Sequence, residues 1–426
     1  MLREQIKEAY IAILQEELVP AMGCTEPIAV AYAGALARKT LGALPQQVEL
    51  TVSGNIIKNV KSVIVPHTGG RKGLHTAVAV GICCGDADRE LEVLSDVTEE
   101  QISQLDAFLK TTPVSIHESN SHCPFDIQVT VQNGAHTAYV RIIGHHTNVV
   151  CIRLDEQMLL EKPFADDVVQ SEENRRLLNV KDIIAFANEV DLTRVRETIK
   201  RQIDMNMAIA QAGMTGQYGA NIGKILIRSY GNSVQNRAKA YAAAGSDARM
   251  NGCELPVVIN SGSGNQGMTA SIPVIIYARE CNTSDEQLYR ALLVSNLVTI
   301  HLKTGIGSLS AYCGATSAGA GAGAGVCYLY GGGYDEIAHT IVNALAINSG
   351  MLCDGAKASC AAKIASAVEA GLLGMQMYLH NSQFYCGDGL VAKNVEETIE
   401  AVSAIARDGM RETDNEIIQF MIENDS

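Results

Sequence analysis

The sequence predicts an α+β fold: an N-terminal mixed α/β domain with an antiparallel sheet over residues 1–165, then a mostly α-helical domain over residues 166–426. Three observations carry this. Residues 113–156 break into four short segments, PVSIHES, FDIQVTVQ, HTAYVRIIG and TNVVCIRLD, that alternate as half-buried strands do, with Asn133-Gly134 as a tight hairpin turn. Beyond residue 181 apolar and small residues recur at helical spacing. Between the two, residues 160–182 are polar, charged and weakly periodic, which marks a boundary.

Each element follows in order. Ile6, Tyr10, Ile13, Leu14 and Leu18 share one helical face, and Pro20 closes that helix. Thr25 as N-cap and Pro27 in the first turn open a second helix that stops near Gly42. Residues 47–65 read as a strand followed by a second strand or a short helix. A Gly-rich turn with His67, Arg71, Lys72 and His75 leads into a small-residue helix from about Leu74 to Cys84. LEVLSDV reads as a short strand, and Thr98 opens the helix after it. In the second half helices are expected over 181–211 (two), 222–249, 285–302, 335–352 and 359–379, with the last starting near Asn394.

Composition narrows the function. With 47% hydrophobic and 19% charged residues the chain can bury a large core, and with no Trp it must do so with small side chains and Met. A net charge of -14 without any basic run makes nucleic acid and anionic membrane poor partners. No apolar run reaches transmembrane length, and the charged N-terminus lacks the pattern of a signal peptide, so a cytoplasmic location is expected. In a reducing compartment twelve cysteines are free thiols by default, and Cys83, Cys84, Cys151 and Cys327 fit as small buried hydrophobes.

Three other thiols stand out. Cys313 opens the run CGATSAGAGAGAG, inside a stretch from Thr304 to Tyr334 that has no charged residue or His and contains ten glycines. Cys353 and Cys360 bracket MLCDGAKASC between two helices. The expectation is that these thiols hold a cluster and that the glycines let backbone approach it. Structural zinc usually shows paired spacing, and with spacings of 40 and 7 residues cluster and zinc are both weak signals on the residues alone, three unrelated buried cysteines being the other reading. Cys24 lies just ahead of a helix start, where free N–H groups lower a thiol pKa; it is either a reactive thiol or a filler at a turn. Arg71, Lys72 and His75 suit a carboxylate or phosphate, or simply form a solvated loop. HESNSHC brings His117, Asn120 and His122 together as metal, substrate or structural groups. Gly262, Gly264 and Gly267 make a GxGxxG, but Pro273 and the lack of a βαβ pattern argue against a dinucleotide site.

Taken together, MGCTEP, HTGGRKGLHTAVAVG, SIHESNSHCP, INSGSGNQGMTASIPV, AYCGATSAGAGAGAG and GMLCDGAKASC resemble a known family across nearly the whole chain. The C-terminal half resembles the alpha chain of the iron–sulfur L-serine dehydratases, and the chain as a whole looks closer to the L-cysteine desulfidases. The resemblance implies a [4Fe-4S] cluster with one open iron on Cys313, Cys353 and Cys360, the spacing of the last two being shorter than in the dehydratases. It implies a role for Cys24 as base, fourth ligand or substrate contact, and likens TGGRKG to a substrate-binding loop. The expected reaction is β-elimination from L-cysteine to pyruvate, ammonia and hydrogen sulfide. Cys24 is the expected base, Arg71, Lys72 and His75 the carboxylate contacts, and Asn265 and Gln266 the polar contacts. L-Serine dehydration in the same site, a pyridoxal phosphate lyase using Lys303 or Lys357, and a non-catalytic iron–sulfur sensor are the alternatives. The expected partner is a small amino acid, and homo-oligomeric assembly is compatible with the sequence.

Overall fold

Periodicity becomes packing along the first 160 residues. The computed structural model describes residues 2–121, 123–163, 174–307 and 309–423; the expected boundary at 165/166 and His122 lie outside them. Helix α1, Glu4–Glu17, buries Ile6, Tyr10, Ile13 and Leu14. A three-residue strand β1, Pro20–Met22, follows. Helix α2, Thr25–Leu41, ends on Gly42 at φ 76°, with Cys24 rather than Thr25 as its N-cap. Strand β2, Gln47–Val52, and short helix α3, Gly54–Val60, precede α4, Gly73–Cys84. Helices α2 and α4 pack closely: Gly34 lies against the Val78 carbonyl and Gly81 against that of Ala31.

Helix α5, Glu99–Thr111, has the predicted Thr98 cap in a full capping box. LEVLSDV is not a strand. Ala87–Glu92 is a 3-10 turn that starts where Asp86 accepts from the Asp88 N–H, and Leu91, Val93 and Leu94 reach the core from turns without pairing. Strands β3 (Val114–Glu118), β4 (Asp126–Asn133), β5 (His136–Ile143), β6 (Val149–Leu154) and β7 (Gln157–Glu161) join β2 in the order β3-β2-β4-β5-β6-β7. All neighbours are antiparallel except β2–β3, which α3 to α5 connect as a parallel crossover.

The second half is helical: α6 (Val180–Glu189), α7 (Arg196–Thr215), α8 (Ile222–Tyr230) and α9 (Val234–Met250). Gly231, at φ 83°, splits the predicted 222–249 helix in two. Strand β8, Pro256–Val258, leads into α10, Gly264–Glu280, which runs through Pro273 rather than breaking there. Then come α11 (Asp285–Ile306), α12 (Gly314–Leu329), α13 (Tyr334–Asn348), α14 (Cys360–Leu379), α15 (Val395–Ala404) and α16 (Arg411–Glu423). No helix among the described residues is long and apolar enough to cross a membrane.

The glycine run has a different role from the expected one. It is the buried central helix α12, enclosed by α10, α11, α13 and α14. A Cβ at Gly323 would stand 2.5 Å from the Gly371 carbonyl oxygen on α14, and Gly319 lies against the Ala367 carbonyl. On the other face Gly321 meets Ser295 and Thr299 of α11, and Gly325 meets Ala291 and Ser295. These glycines bring helix backbones together; Gly314 alone of the run stands beside a proposed site residue, Gln266.

Gly323→Val is therefore expected to destabilise the fold by about 3 kcal/mol or more through overpacking. Gly409→Ala, whose nearest neighbour would be 3.6 Å away, is expected to be near neutral. Thermal or urea unfolding of the two variants beside the parent checks the pair.

Candidate functional site

Two short pairings assemble the site. Strand β1 pairs antiparallel with β8, Pro20 with Val258 and Met22 with Pro256. This sets the chain leading into α2 beside the chain leading into α10. Thr25 Oγ1 then donates to the Gly262 carbonyl at 2.8 Å. The second pairing is the bridge between Tyr312 and Leu352: the Cys313 N–H donates to the Met351 carbonyl at 2.9 Å and that of Cys353 to Ala311 at 2.6 Å. It sets Cys313, the N-cap of α12, beside Cys353. Cys360 is the first residue of α14 and packs with Cys24, Val63, Met250 and Ala356. Gln266, in the first turn of α10, lies against Gly314. The four thiols, separated by up to 336 positions, thus meet where α2, α10, α12 and α14 all begin.

Charge is unevenly shared among them. Cys313 donates its S–H hydrogen bond to Cys353, which draws the Cys353 thiol down to about 6, helped by the Lys58 and Lys303 ammoniums against the cost of burial. The same bond, with burial, pushes Cys313 up. Lys58 is 1% exposed, pairs with Asp414 and points toward the Cys353 carbonyl at 3.5 Å. Burial pulls Lys303 down to about 8. Burial raises Cys360. Cys24 departs from the expectation of an activated thiol: burial and the adjacent Glu26 carboxylate push it well above its ordinary value, despite its place at a helix start. Its Sγ donates to Glu26 Oε2 at 3.2 Å. Glu26 also accepts from Thr25 Oγ1 at 3.1 Å and from Asn59 Nδ2 at 3.3 Å.

Around the thiols, buried polar atoms lack partners. They include Arg249 Nε and Nη2, Gln266 Oε1, Thr316 Oγ1, Ser317 Oγ and His146 Nε2. Protein interiors satisfy such atoms almost everywhere, so a group of them marks a place for something else. Arg249 is 2% exposed, with a single hydrogen bond, Nη1 to Asn265 Oδ1 at 3.1 Å. His146 packs edge-on against Phe125 and lies in charge range of Glu26 and Arg249; burial holds its ring neutral, at about 4.

Asn265 accepts from Arg249, and Gln266 lies against Gly314, the residue after Cys313. The cationic loop is used differently. Arg71 is taken by Asp106, Nη2 bonding both carboxylate oxygens at 2.9 and 2.8 Å, while Lys72 and His75 are exposed. His117 and Asn120 are exposed at the end of β3. Lys357 pairs with Asp354, and Lys303 donates to the Gly307 carbonyl. Sequence reasoning missed Glu26, Lys58, His146 and Arg249. Glu26 was within reach, standing inside the quoted MGCTEP motif.

The donor set suits a thiol-held cluster. Cys313 ends the α11–α12 connection, and Cys353 and Cys360 stand in and at the end of the α13–α14 connection, with Cys353 poised to ionise and two lysines beside it to balance the charge. Among the described residues no three His, Cys, Asp or Glu side chains close around a point for a single metal ion.

Comparison with known proteins places these features in context. Residues 88–419 match the family described as serine dehydratase alpha chain. Over 420 residues the chain is 54% identical to a UPF0597 protein of Desulfitobacterium hafniense, covering 99% of this chain and 98% of the relative. UPF0597 proteins of Treponema denticola and Lachnoclostridium phytofermentans are 44% and 48% identical, covering 98% and 97% of this chain and 98% and 99% of theirs.

Two predictions follow from the buried charges. Asp414→Ala leaves the Lys58 ammonium unpaired and is expected to cost about 3 kcal/mol. Hydrogen exchange of residues 411–421 should rise with it, because Asn55 Nδ2 and Lys58 both hold Asp414 of α16. Asp247 is raised to about 6 by burial, against backbone donors that include the Ile222 N–H at 2.6 Å. A raised acid stabilises the fold in its protonated form. That contribution is full below the ordinary carboxylate value and fades as pH rises through about 6. Asp247→Asn should flatten this part of the profile in urea midpoints measured between about pH 4 and 7.

Proposed function

Because the chain belongs to the serine dehydratase alpha chain family, we propose that it is an iron–sulfur lyase that eliminates the β-substituent of L-cysteine, giving pyruvate, ammonia and hydrogen sulfide. The observation that carries this is the approach of buried Cys24 and half-buried Cys313, Cys353 and Cys360 to one another among unmatched polar side chains. Cys313, Cys353 and Cys360 would hold a [4Fe-4S] cluster, whose iron without a protein ligand supplies Lewis acidity.

The chain's own groups then do the rest. Lys58 and Lys303 offset the negative charge gathered on the thiolates. Cys24 rests as a thiol with its proton directed at Glu26 Oε2. Passing that proton to Glu26 makes the sulfur a base for the substrate's α-proton. The Cα–H electron pair becomes the new C=C bond as the Cβ–S bond breaks, and sulfide leaves with a proton returned from Glu26. The aminoacrylate that remains takes up water and loses ammonia to give pyruvate. Burial excludes water from this proton exchange: Cys24 is 2% exposed. L-Serine dehydration is the second reading, favoured by the description of the matched family, and differs in losing water instead of sulfide.

Anaerobically prepared protein is expected to contain iron and to release equal pyruvate and sulfide from L-cysteine, losing this on exposure to air. Cys353→Ser should lose iron and at least 100-fold in turnover, the scale of removing a group the reaction depends on. Comparing pyruvate formation from L-cysteine and L-serine decides the leaving group. Full activity in iron-free protein would overturn the assignment.

A further inference from the structure

Arg249 is among the largest fully buried side chains of the protein, and its surroundings do not explain it. Its Nη1 bonds the neutral Asn265 amide oxygen, and no carboxylate pairs with it among the described residues. The two unpartnered nitrogens, Nε and Nη2, lie on the same edge of the guanidinium plane, the edge whose two parallel N–H bonds fit a carboxylate. A buried cation with that edge empty is costly to the fold unless an anion takes it.

A second feature faces the same place. Helix α10 starts at Gly264, and its N-cap, Ser263, makes no side-chain capping bond. The N–H groups of Gly264, Asn265 and Gln266 have no intrahelical acceptor, and the positive end of a 17-residue helix adds to them. Gly264 lies directly against Arg249 Nε, where any Cβ would collide with the guanidinium. Glycine there lets edge and helix start act together. Ser261 and Gly262, both at positive φ (49° and 75°), turn the chain sharply into this start.

We propose that the first turn of α10 and the Nε/Nη2 edge of Arg249 form the subsite for the α-carboxylate of the amino-acid substrate. This rests on the amino-acid lyase reading for the identity of the anion, and it replaces Arg71, Lys72 and His75 in that role. Asn265 is the positioning residue that holds the guanidinium from its other edge. With its carboxylate fixed here, the substrate's β-substituent is left to face the thiols.

The test uses the full-length, iron-loaded protein with two probes, L-alanine, which keeps the carboxylate but has no leaving group, and L-alaninamide, which lacks the carboxylate. L-Alanine is expected to compete with L-cysteine and to raise Tm; the amide should do neither. Arg249→Gln is expected to raise KM about 100-fold with a smaller change in kcat, to abolish the response to L-alanine, and to leave iron content unchanged. Its ligand-free Tm should hold or rise, because an unmatched buried charge has been removed, whereas a merely structural arginine would lower it. Should that variant not fold, Arg249→Lys and Gly264→Ala are read the same way, the second covering the edge while keeping the charge. An unchanged KM with an unchanged L-alanine response overturns the subsite. A protein that makes no pyruvate, yet is stabilised by L-alanine through Arg249, keeps the subsite and refutes the lyase reading; no activity and no L-alanine response refutes both.

Discussion

Four helix N-termini gathered around one half-buried spot are the constraint on which the rest depends. Cys24 caps α2, Gly264 begins α10, Cys313 caps α12 and Cys360 begins α14. Each start leaves backbone N–H groups without acceptors and carries about half a positive charge. Gathering four of them is unfavourable by itself, and Lys58, Lys303 and Arg249 add three cations. Only anionic groups settle such a place. Thiolates answer part of it, as the depressed Cys353 shows, while Glu26 is the carboxylate packed beside Cys24. Lys58 is answered by Asp414, and Arg249, which no carboxylate pairs with among the described residues, is the cation left over.

Holding helix starts together requires their bodies to approach closely, and the small-residue composition does this. Helix α12 threads between α11 and α14 at distances that only glycine and alanine allow. The buried polar network behind α10 serves the same end. Asn206 accepts from the Val258 N–H at 2.8 Å, and Asn296 exchanges hydrogen bonds with Gln202 at 2.9 and 2.8 Å while accepting from Asn260 at 2.9 Å. These amides fix the chain on either side of the loop between β8 and α10, so the loop can keep the positive φ of Ser261.

The sheet and helices such as α1, α5 and α15 were legible because their burial is one-sided. The 113–156 alternation, the Thr98 box and the Gly42 stop all rest on local chemistry, and they fell where expected. LEVLSDV misled because alternation reports which side chains are buried, and a turn can bury Leu91, Val93 and Leu94 as well as a strand. The glycine run misled for a related reason: glycine permits close approach of any neighbour, and composition does not name which one. The thiols, Asn265 and Gln266 could be singled out from sequence because they stand in unusual local strings. Arg249 was hidden at the end of the Ala-rich helix YAAAGSDARM, where a basic residue normally only complements the helix dipole. Its solitude is a property of tertiary packing, invisible until the partners can be counted.

The same packing bears on how the two halves relate. The expected substrate domain and helical domain are tied by contacts that run both ways. Strand β1 pairs with β8, α1 packs against α11, and Asp414 of helix α16 returns to Lys58 on α3 beside Cys353. Removing either end would leave a buried charge or an unpaired strand next to the thiols. Thiols near both ends of the chain can share one site only if both ends are tied back to it. The short β1–β8 pairing and the Lys58–Asp414 ion pair are those ties, and for this reason the site and the fold are expected to be gained or lost together.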